Sequence, residues 1–363
     1  MGSQGSRPFH LPAVSALEAP PHRLFELRLV QGPSGDRDQL TLPVAVDALG
    51  GDKAPGEVVA GALAAHAAGV PVVLVGPTDG SLGDTGDLEI IEANEVIGMD
   101  EDAARSVRSK KDSTLVRAAE AVRDGRASAM VSAGNTGATM ASALLRMGRI
   151  SGVARPAIAT PLPVPGGSPT VLIDAGANAE CQPEWLVQFA QMAAVYMRQR
   201  YANPDPSVAL LSIGEESSKG NPLIKAAHAI FAEGIGVRFI GNVEGRDLLT
   251  GQADIIVTDG FTGNVALKAL EGALQVFMGI LMSAIGSTPE TKSAGDVLIP
   301  ALLPYAANID PEATGGAMLL GVDGVCIISH GSSSARAITN AVQVAHDMAE
   351  GDLVGHIRAA ISR

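Results

Sequence analysis

Two short strings hold most of the polar groups that could meet a ligand: SAGNTG at 132–137 and SHGSSS at 329–334. Each closes an apolar run and opens a helix-like stretch, SAGNTGATMASALL in one case and SHGSSSARAITNAV in the other. A helix N-terminus offers unpaired N–H groups and a partial positive charge, which suits phosphate. Gly134, Gly137 and Gly331 let the backbone approach a bound anion, and Asn135, Thr136, Ser332 and Ser333 add side-chain polar groups. Either turn alone would serve equally as a cap, because Ser, Thr and Asn cap helices and Gly turns the chain. Two of them, accompanied by DALGGDKAP (47–55) and DGFTGN (259–264), point to an anion site.

A third string, IGEESSKGN (213–221), sets Glu215, Glu216 and Lys219 at a strand exit. There a lysine can bind phosphate or polarise a carbonyl. A solvated loop with a surface ion pair accounts for these residues equally well. GNVEGRD (241–247) and DGFTGN place Asn242, Glu244, Arg246, Asp259 and Asn264 at further strand ends. His330 is a candidate general base, although a lone histidine more often makes a structural hydrogen bond. Arg105, Arg108, Lys110 and Lys111 form the clearest basic cluster, either a solvated helix face or a dock for an acidic carrier.

Other chemistries find no residues. There is no dinucleotide fingerprint G-x-G-x-x-G after a strand, no phosphate-loop G-x-x-x-x-G-K and no G-x-S-x-G elbow. No H-E-x-x-H or Cys/His cluster suggests a metal, and Cys181 and Cys326 fit no redox spacing. A formal charge of −13 argues against a nucleic-acid surface, which must neutralise phosphates. No metal or cofactor is expected.

These turns need a frame. Hydrophobic residues make up 46% of the chain and aromatics only 3%, so the core must be built from small and branched aliphatic side chains. Short β-branched runs recur at 43–46, 70–76, 88–93, 128–133, 170–174, 207–214, 237–241, 253–260 and 325–331. They do not alternate, as expected of strands covered on both faces. Helix-like stretches lie between them at 55–68, 102–124, 183–200, 222–233 and 264–285. Strand followed by helix, repeated, predicts a three-layer α/β/α sandwich around a mostly parallel sheet. Residues 1–41, rich in Pro, Gly, Ser and charge, are expected to form a disordered extension without a secretory signal. Residues 42–350 are expected to make one two-lobed α/β unit, and 351–363 a tail or helix end. The uncharged segment 272–289 is expected as a buried or dimer-facing helix, with shallow membrane contact the alternative.

Taken together, DALGGDKAP, NEVIGMDE (94–101), KKDST (110–114), SAGNTGA, LIDAGANAEC (172–181), GEESSKGN, GNVEGRD, DGFTGN, GGAMLLGVDGV (315–325) and HGSS resemble the bacterial phosphate acyltransferases of phospholipid synthesis, the PlsX type. The resemblance spans about residues 43–345. It implies a Rossmann-like fold similar to isocitrate and isopropylmalate dehydrogenases. It implies transfer of a long-chain acyl group from acyl carrier protein to inorganic phosphate. It also implies a homodimer, peripheral contact with the inner face of the membrane, and delivery of acyl phosphate to a glycerol-3-phosphate acyltransferase. By the motifs it falls on, Lys219 and Asn264 belong to the polar network around phosphate and thioester. Asp47, Asn178, Glu215, Asn242, Arg246 and Asp259 are expected to bind substrate, and the basic cluster to receive the carrier. Departures are minor: Leu49 stands where the family usually has Met, Thr114 where Ser is common, and Ser334 where a polar or acidic residue is frequent.

The residue inventory agrees with that reaction. Phosphate is a nucleophile at neutral pH, and a thiol of pKa about 8.5 leaves without much protonation. What remains is positioning and oxyanion stabilisation. Three rivals stay open: a short-chain phosphotransacylase using coenzyme A, a dehydrogenase of the same fold, and a membrane-associated scaffold without activity.

Overall fold

The computed structural model describes residues 42–308 and 310–362; the extension expected over 1–41 lies outside them. Strand β1 (Val44–Asp47) leads through helix α1 (Gly56–Ala67) to β2 (Val72–Gly76) and β3 (Glu89–Glu92). Helices α2 (Ala103–Ser109) and α3 (Thr114–Arg123) precede β4 (Ala129–Ser132) and α4 (Thr136–Arg146). Then come β5 (Ala157–Leu162), β6 (Thr170–Ile173), α5 (Pro183–Tyr201), β7 (Ser207–Leu211), α6 (Pro222–Glu233), β8 (Arg238–Val243) and β9 (Ile255–Val257). The long pair α7 (Gly260–Ile285) and α8 (Pro289–Asn308) is followed by β10 (Ala317–Leu320), β11 (Val325–Ile328), α9 (Ala335–Glu350) and α10 (Leu353–Ile361).

The strands form one 11-stranded sheet in the order β3-β2-β1-β4-β11-β10-β5-β6-β9-β7-β8. Successive residues feed opposite faces: Val44 and Val46 join the core under α1, α5, α6, α9 and α10, while Ala45 joins the core under α2, α3 and α4. The expected three layers are present. Most neighbours pair in parallel, but β11–β10, β10–β5 and β5–β6 are antiparallel. The block β3-β2-β1-β4-β11 therefore runs opposite to the block β6-β9-β7-β8. Turns after β1, β4 and β11 leave one end of the strands, and turns after β6, β7, β8 and β9 leave the other.

Two expectations change and a third is decided. The single helix foreseen over 102–124 is broken, because Thr114 N donates to Glu95 O and Asn94 N donates to Asp112, pinning 110–113 to the β3 exit. Of the two alternatives for the C-terminal stretch, residues 353–361 form a helix with Leu353 and Ile357 buried, so this stretch packs on the core. The apolar α7 is not buried within this chain: Phe277 and Ile280 are 63% and 64% exposed. Only its first turns, through Ala266, Leu267 and Leu270, reach the sheet.

Gly260 and Gly263 dock that first turn. A Cβ at Gly263 would lie 1.9 Å from the Asp174 carbonyl oxygen, and one at Gly260 would lie 2.7 Å from Asn178 backbone atoms. Gly272, further along the same helix, has nothing within 4 Å. Gly263→Ala is thus expected to cost about 1–3 kcal/mol of stability. Gly272→Ala should be neutral or add up to about 1 kcal/mol. Denaturant unfolding of the two variants side by side checks this; equal midpoints would contradict the docking.

Candidate active site

At the first end, Asp47 closes β1 and Ser132 closes β4. Asp47 is 1% exposed, and its carboxylate accepts from Ser132 Oγ at 2.6 Å and from Leu49 N at 3.3 Å. Burial raises its pKa above the ordinary aspartate value, and these hydrogen bonds pull the other way. A Cβ at Gly50 would fall 2.4 Å from that carboxylate and 2.9 Å from Gly134 N, so only glycine lets the two turns meet. Asp47 thus organises the turn from below. Asn135 caps α4, accepting from Ala138 N at 3.0 Å, while its Nδ2 donates to Met99 O at 2.9 Å. Its side chain is committed to the fold. Thr136 and Gly137 stand in the first turn of α4, Thr136 exposed, where helical N–H groups have no intrahelical partner.

The SHGSSS turn meets the same end but is already filled. Ala335 N donates to Glu57 Oε2 at 2.6 Å, and Ser334 N and Oγ donate to Glu312 at 3.3 and 2.8 Å. Two of the chain's own carboxylates therefore occupy the α9 N-terminus, where phosphate was expected. Ser333 is buried, and its N donates to His330 O. Gly331 gives its carbonyl to Asp52 N. Ser332 N donates to His330 Nδ1 at 3.2 Å, with Ser332 Oγ 2.8 Å from the same atom. An N–H can only donate, so Nδ1 is the acceptor and the neutral ring carries its proton on Nε2. That arrangement spends the lone pair a general base would use.

The other end is built on Asp174. Its buried carboxylate accepts from the N–H groups of Ile158, Gly176, Ala177 and Asn178 and from Asn178 Nδ2, at 2.7–3.1 Å. Burial raises its pKa and these bonds oppose the rise. Asn178 also donates to Pro156 O at 2.8 Å, so it ties the loop together. Asp259 caps α7, accepting from Thr262 N and Oγ1, both at 2.8 Å. Asn178 and Asp259 are thus tied into the loops that carry them. Asn264 projects from the first turn of α7, exposed, beside Gly176. Cys181 lies nearby with its thiol pushed up to about 12, first by burial and then by the Asp174 charge, so it is no nucleophile.

Adjacent β7 carries the 213–221 turn, with Glu215 and Lys219 exposed. The Lys219 stem lies over Gly214, where a Cβ would be 2.8 Å from Lys219 Cγ. Asn242, on β8, is buried and donates to Glu216 O at 3.0 Å. Arg246 is exposed and ion-paired with Glu244. In the basic cluster, Arg105, Arg108 and Lys111 are exposed, but Lys110 is spent on Glu101 (2.5 Å) and Val96 O (2.7 Å).

The fold thus gathers SAGNTG with SHGSSS, and sets Lys219 and Asn264 at neighbouring strand exits, but among the described residues no hydrogen bond or ion pair joins the two groups. One apolar cluster does span α4 and α7: Ala138 and Ala143 of α4, Ala175 of the Asp174 loop and, at its edge, Leu267 of α7. Sequence reasoning missed Glu57, Glu312 and the role of Asp174. Glu57 lies 278 positions from its partner Ala335, a distance over which no local pattern carries a signal.

Residues 42–355 match the model of a family described as fatty acid synthesis protein. The phosphate acyltransferase of Heliobacterium modesticaldum is 45% identical over 327 residues, covering 88% of this chain and 97% of that one. That of Geobacillus thermodenitrificans is 44% identical over 325 residues, covering 88% and 99%. The chain belongs to the phosphate acyltransferase family. As a member of that family it is an acyltransferase, which removes the dehydrogenase reading. Among solved structures, a phosphotransacetylase from Streptococcus pyogenes superposes with a TM-score of 0.57 at 17% identity, covering 86% of this chain and 94% of that one. A branched-chain phosphotransacylase from Enterococcus faecalis V583 gives 0.53 at 16%, covering 85% and 99%. Phosphate acyltransferases thus share a fold with these proteins.

The loop that Asn135 holds depends on one ion pair. The hydrogen bond from Lys110, with others from Gly98 N and Ser106, lowers the Glu101 carboxyl to about 2. Because that value lies below the ordinary one, the bond's contribution is present above the unfolded pKa of about 4.3. It is lost as pH falls through about 2. Lys110→Met should return Glu101 toward the ordinary value in a carboxyl NMR titration; an unmoved titration would exclude this anchoring.

Proposed function

We propose that this enzyme transfers a long-chain fatty acyl group from acyl carrier protein to inorganic phosphate, giving acyl phosphate for phospholipid synthesis. The observation that carries the reading is the pairing of an exposed cation and an exposed carboxamide at neighbouring strand exits: Lys219 after β7 and Asn264 after β9, strands that are hydrogen-bonded neighbours. Phosphate brings negative charge that Lys219 neutralises, and Asn264 donates to the oxygen of the thioester carbonyl as it becomes an oxyanion. The open first turn of α4, with the Thr136 and Gly137 amides, holds phosphate. The apolar cluster shared by α4 and α7 supports a cleft common to their first turns. No activated serine or cysteine is required, in keeping with the raised Cys181 thiol.

The acyl donor's carrier docks on Arg105, Arg108 and Lys111, which stand exposed beside α4. The exposed apolar face of α7 and α8, including Phe277, Ile280 and Val297, supports peripheral contact with the inner face of the cell membrane. From there the product passes to a glycerol-3-phosphate acyltransferase. The enzyme works as a homodimer.

Lys219→Ala and Asn264→Ala should each lower phosphate-dependent release of carrier from palmitoyl carrier protein by about 10²–10³-fold. Near-normal turnover of both would remove this assignment. Thr136→Pro deletes one N–H at a position where helices tolerate proline, so it should raise the KM for phosphate and leave that for carrier unchanged. Matched carrier and coenzyme A thioesters decide the donor; preference for coenzyme A would favour a short-chain phosphotransacylase. For the membrane, Phe277→Asp with Ile280→Asp should abolish sedimentation with anionic vesicles. Ile285 is a poorer probe, because a Cβ at Gly295 of α8 would meet its side chain at 2.3 Å.

A further inference from the structure

We infer that Asn242 is a positioning residue that sets Lys219 through the carbonyl of Glu216. The inference rests on the reading of Lys219 as part of the reaction centre. Glu216 O receives two donors: Asn242 Nδ2 at 3.0 Å and Lys219 N at 2.9 Å. One carbonyl therefore ties the root of the lysine to a side chain on the next strand. Both ends of the turn are fixed as well. Asn221 caps α6 through Ile224 N at 2.9 Å, and Gly220 holds φ +102. The middle of the turn, residues 215–219, is exposed. Among the described residues, the Asn242 bond is the side-chain hydrogen bond that fastens it.

The strand is bent to deliver that bond. The β7–β8 register runs Val208 to Phe239 and then Leu210 to Asn242, so β8 carries one extra residue between those pairs. Such a bulge re-aims the side chains that follow it. Phe239 packs on the core under α6; plain alternation would send Asn242 to the opposite face and Val243 to the same one. Instead Val243 joins the cluster on the opposite face, and Asn242 turns under the 213–221 segment. The bulge includes Gly241 at φ +103, a region that favours glycine. Asn242 is 5% exposed, and its Oδ1 has no hydrogen-bond partner. A buried unpaired acceptor is a cost to stability, tolerated where the other end of the side chain has a task.

A double-mutant cycle tests this on the full-length enzyme, with kcat and both KM values measured for Asn242→Ala, Lys219→Ala and the pair. Asn242→Ala should lower kcat about 10- to 100-fold with the KM for carrier changed less than about 2-fold, since misplacing a reacting group acts on the transition state. In the Lys219→Ala background the same change should have almost no effect, because the residue acts through the lysine. If the two losses multiply, or if Asn242→Ala is as active as the parent, the inference is overturned. Should Lys219→Ala itself be fully active, the reading of the reaction centre fails instead, a distinguishable result. Gly241→Ala covers the case in which Asn242→Ala does not fold. Nothing lies within 4 Å of a Cβ there, so it strains only the backbone that aims Asn242. It should show the same loss of kcat and the same dependence on Lys219, and undiminished kcat would overturn the inference.

Discussion

A buried strand must pair along both edges, and in the middle of this sheet the partners are β10 and β5, each antiparallel to its neighbours. Those two short strands reverse the direction of everything beyond them. Helices that follow β4 and β11 open at one end of the strands; α6 and α7 open at the other. Where the α4 amides, Lys219 and Asn264 can stand is decided by that reversal. In the proposed reading the chemistry is drawn from both blocks, over the face that α4 and α7 cover together.

At both ends the same device shapes the turns. A carboxylate is buried at a strand terminus, Asp47 in one block and Asp174 in the other, and the turn is wrapped around it. Burying a charge is expensive unless it is fully hydrogen-bonded. Asp174 meets that demand with four backbone N–H groups and one side-chain amide. Such a turn has one low-energy shape, and glycines at Gly50, Gly260 and Gly263 let a second segment close on it. The Asp174 turn then supports Asn264, while the α4 N-terminus is held by its own cap, Asn135. A third turn, at Lys219, is fastened by the Asn242 side chain through the Glu216 carbonyl.

The same glycines account for the contrast along α7. Where Gly260 and Gly263 admit the Asp174 loop, the helix is part of the fold; beyond Leu270 it leaves apolar side chains such as Val276, Phe277 and Ile280 exposed. A 26-residue helix is about 39 Å long at 1.5 Å per residue, far more than the sheet can cover. The exposed stretch therefore begins about two turns from the proposed oxyanion donor.

By itself the sequence determined the layer architecture, the nine β-branched runs and the turns that carry the site, because burial on both faces and helix starts leave local patterns. It also offered Lys219 and Asn264 as candidates, through motifs each contained within nine residues. It did not show β5, whose Ala157–Leu162 includes a proline, or β10, whose four residues are too few to tell from a helix. Missing those two strands hid the reversal. Nor could it tell which polar residues are tied into their turns: Asp47, Asn135, Asn178 and Asp259 stand at strand ends, just as Lys219 and Asn264 do. Only the tertiary structure decided between them, since Asp47 finds Ser132 85 positions away and the α9 N-terminus finds Glu57 278 away. Partners so distant in the chain meet only when the sheet brings their strands side by side.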